Sequence, residues 1–246
     1  MTPGTLRAVI ATADTASLSV AQEFARLANA IPAGYARSGP EALASVRAFL
    51  PDILLADLVL PGFDGVHLAE AVFNGPLNRY PFIVLMDNAG QSPDIPGWLL
   101  SCGTTLVPKR FPNGGADGFL RPMHAEDREL PPGRQALLSR TLDDLGVPDH
   151  PGRQYLSDAA ALVWLDARRL ESLKRHVYAP IALKRSTDAA RVERAIRYAV
   201  DTAWRSGEIT HQHRIFGDTI DARRGKPTCG EMIARLADIL RWEGRE

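Results

Sequence analysis

Five short apolar runs in the first 108 residues, separated by longer segments, constrain the fold of this chain more than any other feature. Leu6 to Thr12, Ala33 to Ala36, Ile53 to Ala56, Phe82 to Met86 and Thr104 to Val107 each have the length of a buried strand. After the first, Leu18, Ala21, Phe24, Ala25 and Ala28 recur at helical spacing, and Ala42 to Phe49 forms a second helical segment opened by Gly39 and Pro40. Strands buried on both faces and joined by helical crossovers build a parallel sheet with helices on each side. The expectation is a flavodoxin-like, five-stranded α/β domain over residues 1–118, with its functional groups beyond the carboxyl ends of the strands. Asp57 ends the third run, just before the turn formers Pro61, Gly62 and Gly65.

Residues 119–134, FLRPMHAEDRELPPGR, combine charges with three prolines and no helical stripe, which reads as a linker. Beyond it the strand signals stop. Ala136 to Leu145, Tyr155 to Leu165, Leu170 to His176, Ala179 to Lys184, Asp188 to Trp204, His211 to Phe216 and Thr228 to Trp242 all carry helical patterns. An all-helical second domain is expected over 135–246, and 246 residues suffice for two such cores. No apolar run approaches the roughly 20 residues that span a bilayer, and MTPGTLRAVIATAD lacks a signal core. Cys102 and Cys229 are too few for a disulfide framework, so a cytoplasmic protein without a membrane partner is expected.

The chain is formally neutral, with 29 basic and 29 acidic residues, but the neutrality is a cancellation. Residues 1–118 hold 7 basic and 10 acidic side chains, and 135–246 hold 19 and 16. Ten cations lie between Lys184 and Lys226, against six carboxylates. Such asymmetry points to a nucleic-acid partner for the basic half.

The segment from Ser186 to Trp204, STDAARVERAIRYAVDTAW, is the most informative. Ser186 or Thr187 can cap its start, and Asp188 suits the positive end of the helix dipole. Winding at about 100° per residue gathers Val192, Ala195, Ile196, Ala199, Val200 and Ala203 on one side and Arg191, Arg194 and Arg197 on the other. With the short helix Ala179 to Lys184 ahead of it, residues 179–198 have the shape of a helix-turn-helix, whose second helix enters the major groove. There an arginine fork can meet guanine O6 and N7, and Glu193 can accept from cytosine N4. The same spacing also describes a plain surface helix whose Arg and Glu side chains pair with each other.

This half resembles the DNA-binding effector domain of the stage 0 sporulation protein A family, response regulators of entry into sporulation. The matching residues are LGVPDH at 145–150, YLSDAA at 155–160, RVERAIRYA at 191–199, AW at 203–204, FG at 216–217 and KPT at 226–228. The resemblance implies that Arg191, Glu193, Arg194 and Arg197 lie on the recognition helix, with Arg194 and Arg197 foremost for base contact, and that Lys226 approaches a phosphate at a helix amino end. It also implies homodimers on tandem double-stranded operator boxes, activation of some promoters and repression of others, and contact with RNA polymerase. No turnover chemistry is implied beyond self-phosphorylation.

In that family the first domain is a phosphoryl-accepting receiver, and PDILLADLVLPGFDG at 51–65 looks like its acceptor strand and turn. Asp57 matches the acceptor, Asp14 a metal-binding acid and Lys109 the phosphate-holding lysine, so Asp14 and Asp57 become the candidate ligands of a divalent cation, Mg²⁺ or Ca²⁺. The match is incomplete. The acid pair usual after the first strand is broken by Ala13, the switch hydroxyl after the fourth is Asp87, and Pro108, Lys109, Arg110 replace the Lys-Pro pair. An ionised carboxylate at 87 repels a phosphoaspartate. Two readings follow: Asp87 supplies the missing metal ligand and phosphorylation persists with altered geometry, or it pairs with Lys109 in a pseudo-receiver controlled by partner binding or not at all, a kinase or phosphotransferase being the expected signalling partner of the chain. A signalling adaptor that does not read DNA is a further alternative, against which the RVERAIR face stands. An enzyme of flavodoxin-like fold lacks a Gly-rich phosphate loop, since ATADTAS follows the first strand.

Several other residues have plainer expectations. Residues 113–122, NGGADGFLRP, lack the stripe of a final receiver helix. His211, His213 and Cys229 do not complete a zinc set, and the two histidines are expected at the DNA-facing surface or a helix end. Trp164, Trp204 and Trp242 read as core, and Asp143 and Asp144 as solvated.

Overall fold

The computed structural model describes residues 5–87, 94–109, 127–217, 220 and 224–243, which fall in two units, 1–124 and 125–246. In the first, the apolar runs become parallel strands: β1 (Leu6–Ala11), β2 (Ala30–Ala36), β3 (Ile53–Asp57), β4 (Phe82–Asp87) and β5 (Thr104–Pro108). Their order is β2-β1-β3-β4-β5, the flavodoxin-like arrangement. The crossovers include α1 (Thr15–Leu27), α2 (Gly39–Phe49), α3 (Gly65–Asn74) and α4 (Gly97–Cys102).

Every residue of β3 is buried, and Ala8, Ile10, Phe24, Leu55, Val84, Met86 and Val107 pack in one cluster between sheet and helix. β2 starts three residues ahead of the expected run. It lies at the sheet edge with Ile31 and Tyr35 exposed, a position that tolerates Pro32 and shows no burial-driven run. Gly65 lets α3 approach the end of β3, since a Cβ there would stand 2.6 Å from Asp57 O. The register pairs Asp57 with Met86, and Thr12 follows directly on β1. The carboxyl ends of β1, β3 and β4 thus gather Thr12, Asp57 and Asp87 at one edge of the sheet. Residues 113–122, where no regular final helix was expected, lie outside the described residues.

The second unit is helical: α5 (Pro132–Asp144), α6 (Pro151–Leu165), α7 (Ala179–Lys184), α8 (Ala189–Ser206), α9 (Ile209–Phe216) and α10 (Cys229–Trp242). Pro132 to Arg134, expected as linker, instead open α5, because proline fits the first turn of a helix. Arg134 is buried. Its Nε donates to Leu240 O at 2.8 Å, and its guanidinium lies 5.2 Å from the Trp164 ring centroid. The expected helix Leu170 to His176 is replaced by a 3-10 turn, Ala167–Ser172, and a wide π-type turn, Lys174–Tyr178.

Leu156, Ala160, Trp164, Ile196, Val200, Met232, Leu236 and Leu240 are fully buried. Trp164 is core as expected, whereas Trp242, the last residue of α10, is 57 % exposed. Trp204 is half-buried, meeting Phe216 edge-on and donating from Nε1 to Gly225 O. Asp143 and Asp144 are not simply solvated. Arg153 donates to Asp143 and Arg214 to Asp144, at 2.7 and 2.6 Å, which ties the end of α5 to α6 and α9.

Candidate nucleic-acid interface and acidic site

The paired helices begin at α7, whose proline lies in its first turn. Arg185 ends it, Ser186 takes the left-handed conformation (φ 51°), and Thr187 N donates back to Ala182 O at 2.9 Å. Asp188 is the cap of α8, its carboxylate accepting from Arg191 N at 2.7 Å, so neither Ser186 nor Thr187 fills that role. Asp158 of α6 receives Arg185 in a two-pronged pair, at 2.8 and 3.1 Å, and Lys184 at 3.8 Å. The turn is held to α6 by this fork, which is geometrically stricter than a single contact.

α8 separates its two faces as its sequence demands. Val192, Ile196, Ala199, Val200 and Ala203 are buried, while Arg191, Arg194 and Arg197 are exposed over two turns. Gly152 of α6 faces Ala195 and Ala199 at the crossing, where even a methyl group overlaps Ala195 O. Arg197 pairs with Glu193 at 2.6 Å, one turn back. Among the described residues Arg191 and Arg194 have no ion-pair partner, so their guanidinium groups are free to meet an incoming acceptor. Tyr198, also exposed, meets His150, the cap of α6, in a tilted ring contact with centroids 4.9 Å apart.

Lys226 joins the same face. It precedes α10, whose start is closed by a capping box between Thr228 and Glu231, and its Nζ lies 2.6 Å from Asp201 of α8. His211 is at a helix end, its Nδ1 3.0 Å from Asp144 O. Among the described residues no group of three His, Cys, Asp or Glu side chains could hold a metal ion, in either unit.

In the first unit, the expected acceptor Asp57 is buried at the end of β3. Lys109 Nζ stands 3.0 Å from its Oδ1, an ion pair whose angle falls short of a hydrogen bond. The pairing expected between Lys109 and Asp87 is therefore replaced by one with Asp57. Lys109 meets Asp87 only through the backbone, its N donating to Asp87 O at 2.8 Å. The other Asp57 oxygen, Oδ2, accepts from the Thr12 hydroxyl at 2.5 Å, a contact that residue-by-residue matching to a receiver overlooks.

Asp14 has a different post from the one expected. Its carboxylate accepts from Ala16 N, Ser17 N and Ser17 Oγ, closing the start of α1. The bond from the Ser17 hydroxyl, with those from the two amides, holds its carboxyl below the usual carboxylate range. A divalent cation of the magnesium or calcium type wants about six oxygen ligands, carboxylates foremost. Here both Asp57 oxygens face protein donors, both Asp14 oxygens are spent on a helix cap, and Ala13 offers none. Among the described residues, Asp14, Asp57 and Asp87 do not converge as a ligand set that fits that cation.

The chain thus pairs a five-stranded receiver-type unit with a helical unit that carries a basic, solvent-facing second helix. Residues 138–240 match the family model described as sporulation initiation factor Spo0A C terminal. The match covers most of the second unit and less than half of the chain. Among solved structures, the chain is similar to the signal receiver domain of NarL from Mycobacterium tuberculosis, 26% identical over 45% of this chain and 88% of that one, with a TM-score of 0.38. It is also similar to RcsB from Salmonella enterica serovar Typhimurium bound to promoter P1flhDC with the phosphomimetic BeF3-, 13% identical over 96% of this chain and 100% of that one, with a TM-score of 0.41. No helix among the described residues is long and apolar enough to cross a membrane.

Proposed function

We propose that this chain regulates transcription at entry into sporulation and that it reads duplex DNA through α8 in the major groove. The observation that carries this reading is the outward row Arg191, Arg194 and Arg197 on a helix whose opposite face is locked in the core, with Arg191 and Arg194 unpaired among the described residues. A surface helix with only a solvating role would pair those guanidinium groups with neighbouring acids, as Arg197 is paired. Arg194 is the foremost base reader, Arg191 and Lys226 meet phosphates, and Glu193 meets a cytosine once Arg197 is drawn to the DNA. A homodimer on paired operator boxes, with RNA polymerase as the downstream target, completes the proposal.

The first unit works in this proposal without metal-dependent phosphorylation. Thr12 and Lys109 occupy the two oxygens with which Asp57 would attack a phosphoryl donor, and Asp87 adds a second negative charge at the same strand ends. Control comes from a kinase or phosphotransferase docking on this unit, or from another protein partner. Incubation with Mg²⁺ and acetyl phosphate should leave the intact mass unchanged. Stable, stoichiometric, Asp57-dependent addition of one phosphoryl group would return Asp57 to the acceptor role.

The DNA reading is tested by selecting duplexes from a randomised pool with the full chain. A defined motif should emerge, and Arg194→Ala should bind it about 10- to 100-fold more weakly, with relaxed preference at one base pair. Selection of no motif, or one equally well bound by the variant, would remove α8 as the reader.

A further inference from the structure

Three cations around the carboxyl half of α8 are held in pairs with acids of the same unit. Besides Arg197 with Glu193, Lys226 pairs with Asp201 at 2.6 Å and Arg224 with Glu231 at 3.0 Å. All six side chains belong to one stretch of surface, and five of them line a groove of about 430 Å³ together with Thr228 at the start of α10. On α8, Asp201 comes seven residues after Arg194 and four after Arg197, which places it on the same face at the next turn. The loop that carries Lys226 is tied to that face a second time, through the bond from Trp204 to Gly225.

A carboxylate at hydrogen-bond distance from an ammonium offers what a DNA phosphate offers, a negative charge and oxygen acceptors. We propose that Asp201 and Glu231 are built-in phosphate competitors: they hold Lys226 and Arg224 in place in the free protein and must yield them when duplex DNA binds. The inference rests on the reading of α8 as the DNA-facing helix and adds to it the residues that set how tightly any duplex is held. An exposed pair of this kind is weak, so the exchange is possible at little cost. It still subtracts from the backbone attraction that dominates binding irrespective of sequence. The acids therefore lower affinity for random DNA, where phosphate contacts are all that is gained. Glu231 has a second task, its other oxygen accepting from Thr228 N at 2.7 Å. Glutamine can retain that cap while losing the charge.

Fluorescence anisotropy of the full chain with a labelled random-sequence duplex, at low and moderate salt, tests this. Asp201→Asn and Glu231→Gln should each tighten binding about two- to fivefold, the range that an exposed ion pair allows. In a Lys226→Met background the gain from Asp201→Asn should fall to a third or less, since the acid then has nothing to withhold. Unchanged or weaker binding by Asp201→Asn, with helicity retained, overturns the proposal, as does a gain that persists in full without Lys226. A chain that binds no duplex at all contradicts the reading of α8 itself, which is a different failure from wild-type binding that Asp201→Asn leaves untouched.

Discussion

Gly152→Ala should loosen the recognition helix from its support. Gly152 lies in the first turn of α6, where α8 crosses it, and a Cβ there would overlap Ala195 O, stand 2.8 Å from Ala195 C and 3.0 Å from Ala199 Cβ. The overlapped atoms are backbone, which cannot rotate aside, so the two helices must separate. Overpacking of this kind costs about 1–3 kcal/mol, and a backbone obstacle puts it at the upper end. Alanine recovers about 1 kcal/mol of helix propensity over glycine, which leaves a net loss of about 2 kcal/mol. For a unit of this size that lowers the melting temperature by about 8 °C. Thermal unfolding of the full chain followed by tryptophan emission reports it, because three of the four tryptophans, Trp164, Trp204 and Trp242, belong to the second unit, and a Trp98→Phe background removes the one in the first. A variant that melts with the wild type, or above it, would show that α6 and α8 do not approach as closely as described.

Three further outcomes follow from the site geometry. Asp57→Ala leaves the Lys109 ammonium without its partner at a largely buried position, and urea unfolding should show a loss of about 3 kcal/mol in the first unit; a loss below about 1 kcal/mol would mean the pair is not structural. Millimolar Mg²⁺ should leave the melting temperature unchanged, since a ligand that binds only the folded state must raise it; a rise that depends on Asp57 would reinstate a metal site. The Asp14 and Glu231 carboxyls, lowered chiefly by the Ser17 hydroxyl and by the Thr228 amide respectively, titrate below their unfolded values. Their contribution is therefore complete above the unfolded range near pH 4 and fades as pH falls below it, and NMR titration should place both midpoints below those of model peptides.

The strands of the first unit were legible because parallel, doubly buried strands leave continuous apolar runs, as in Ile53 to Asp57. The start of β2 was not, since an edge strand with exposed Ile31 and Tyr35 has no such run. The α8 face was legible in full from the spacing of its arginines. What escaped were contacts between residues far apart in sequence: Asp143 with Arg153, Asp144 with Arg214, and Thr12 with Asp57 are 10, 70 and 45 residues apart. The cap made by Asp14 was not legible because an acid just past a strand and ahead of a helix is equally a metal ligand and a helix cap, and the bonds from the amides of Ala16 and Ser17 show only in the fold. Arg134 fell inside the expected linker because its segment holds prolines and charges without a helical stripe, whereas burial against Trp164 and a bond to Leu240 O give it a core position.

The most direct trial of DNA reading by α8 is binding to the selected duplex with single guanines replaced by 7-deazaguanine, which removes the N7 acceptor from the major groove and leaves base pairing intact. At one guanine the wild-type chain should lose about tenfold in affinity while Arg194→Ala loses nothing further. Equal losses for both proteins, or no loss at any guanine, would contradict a guanidinium of α8 meeting that base edge.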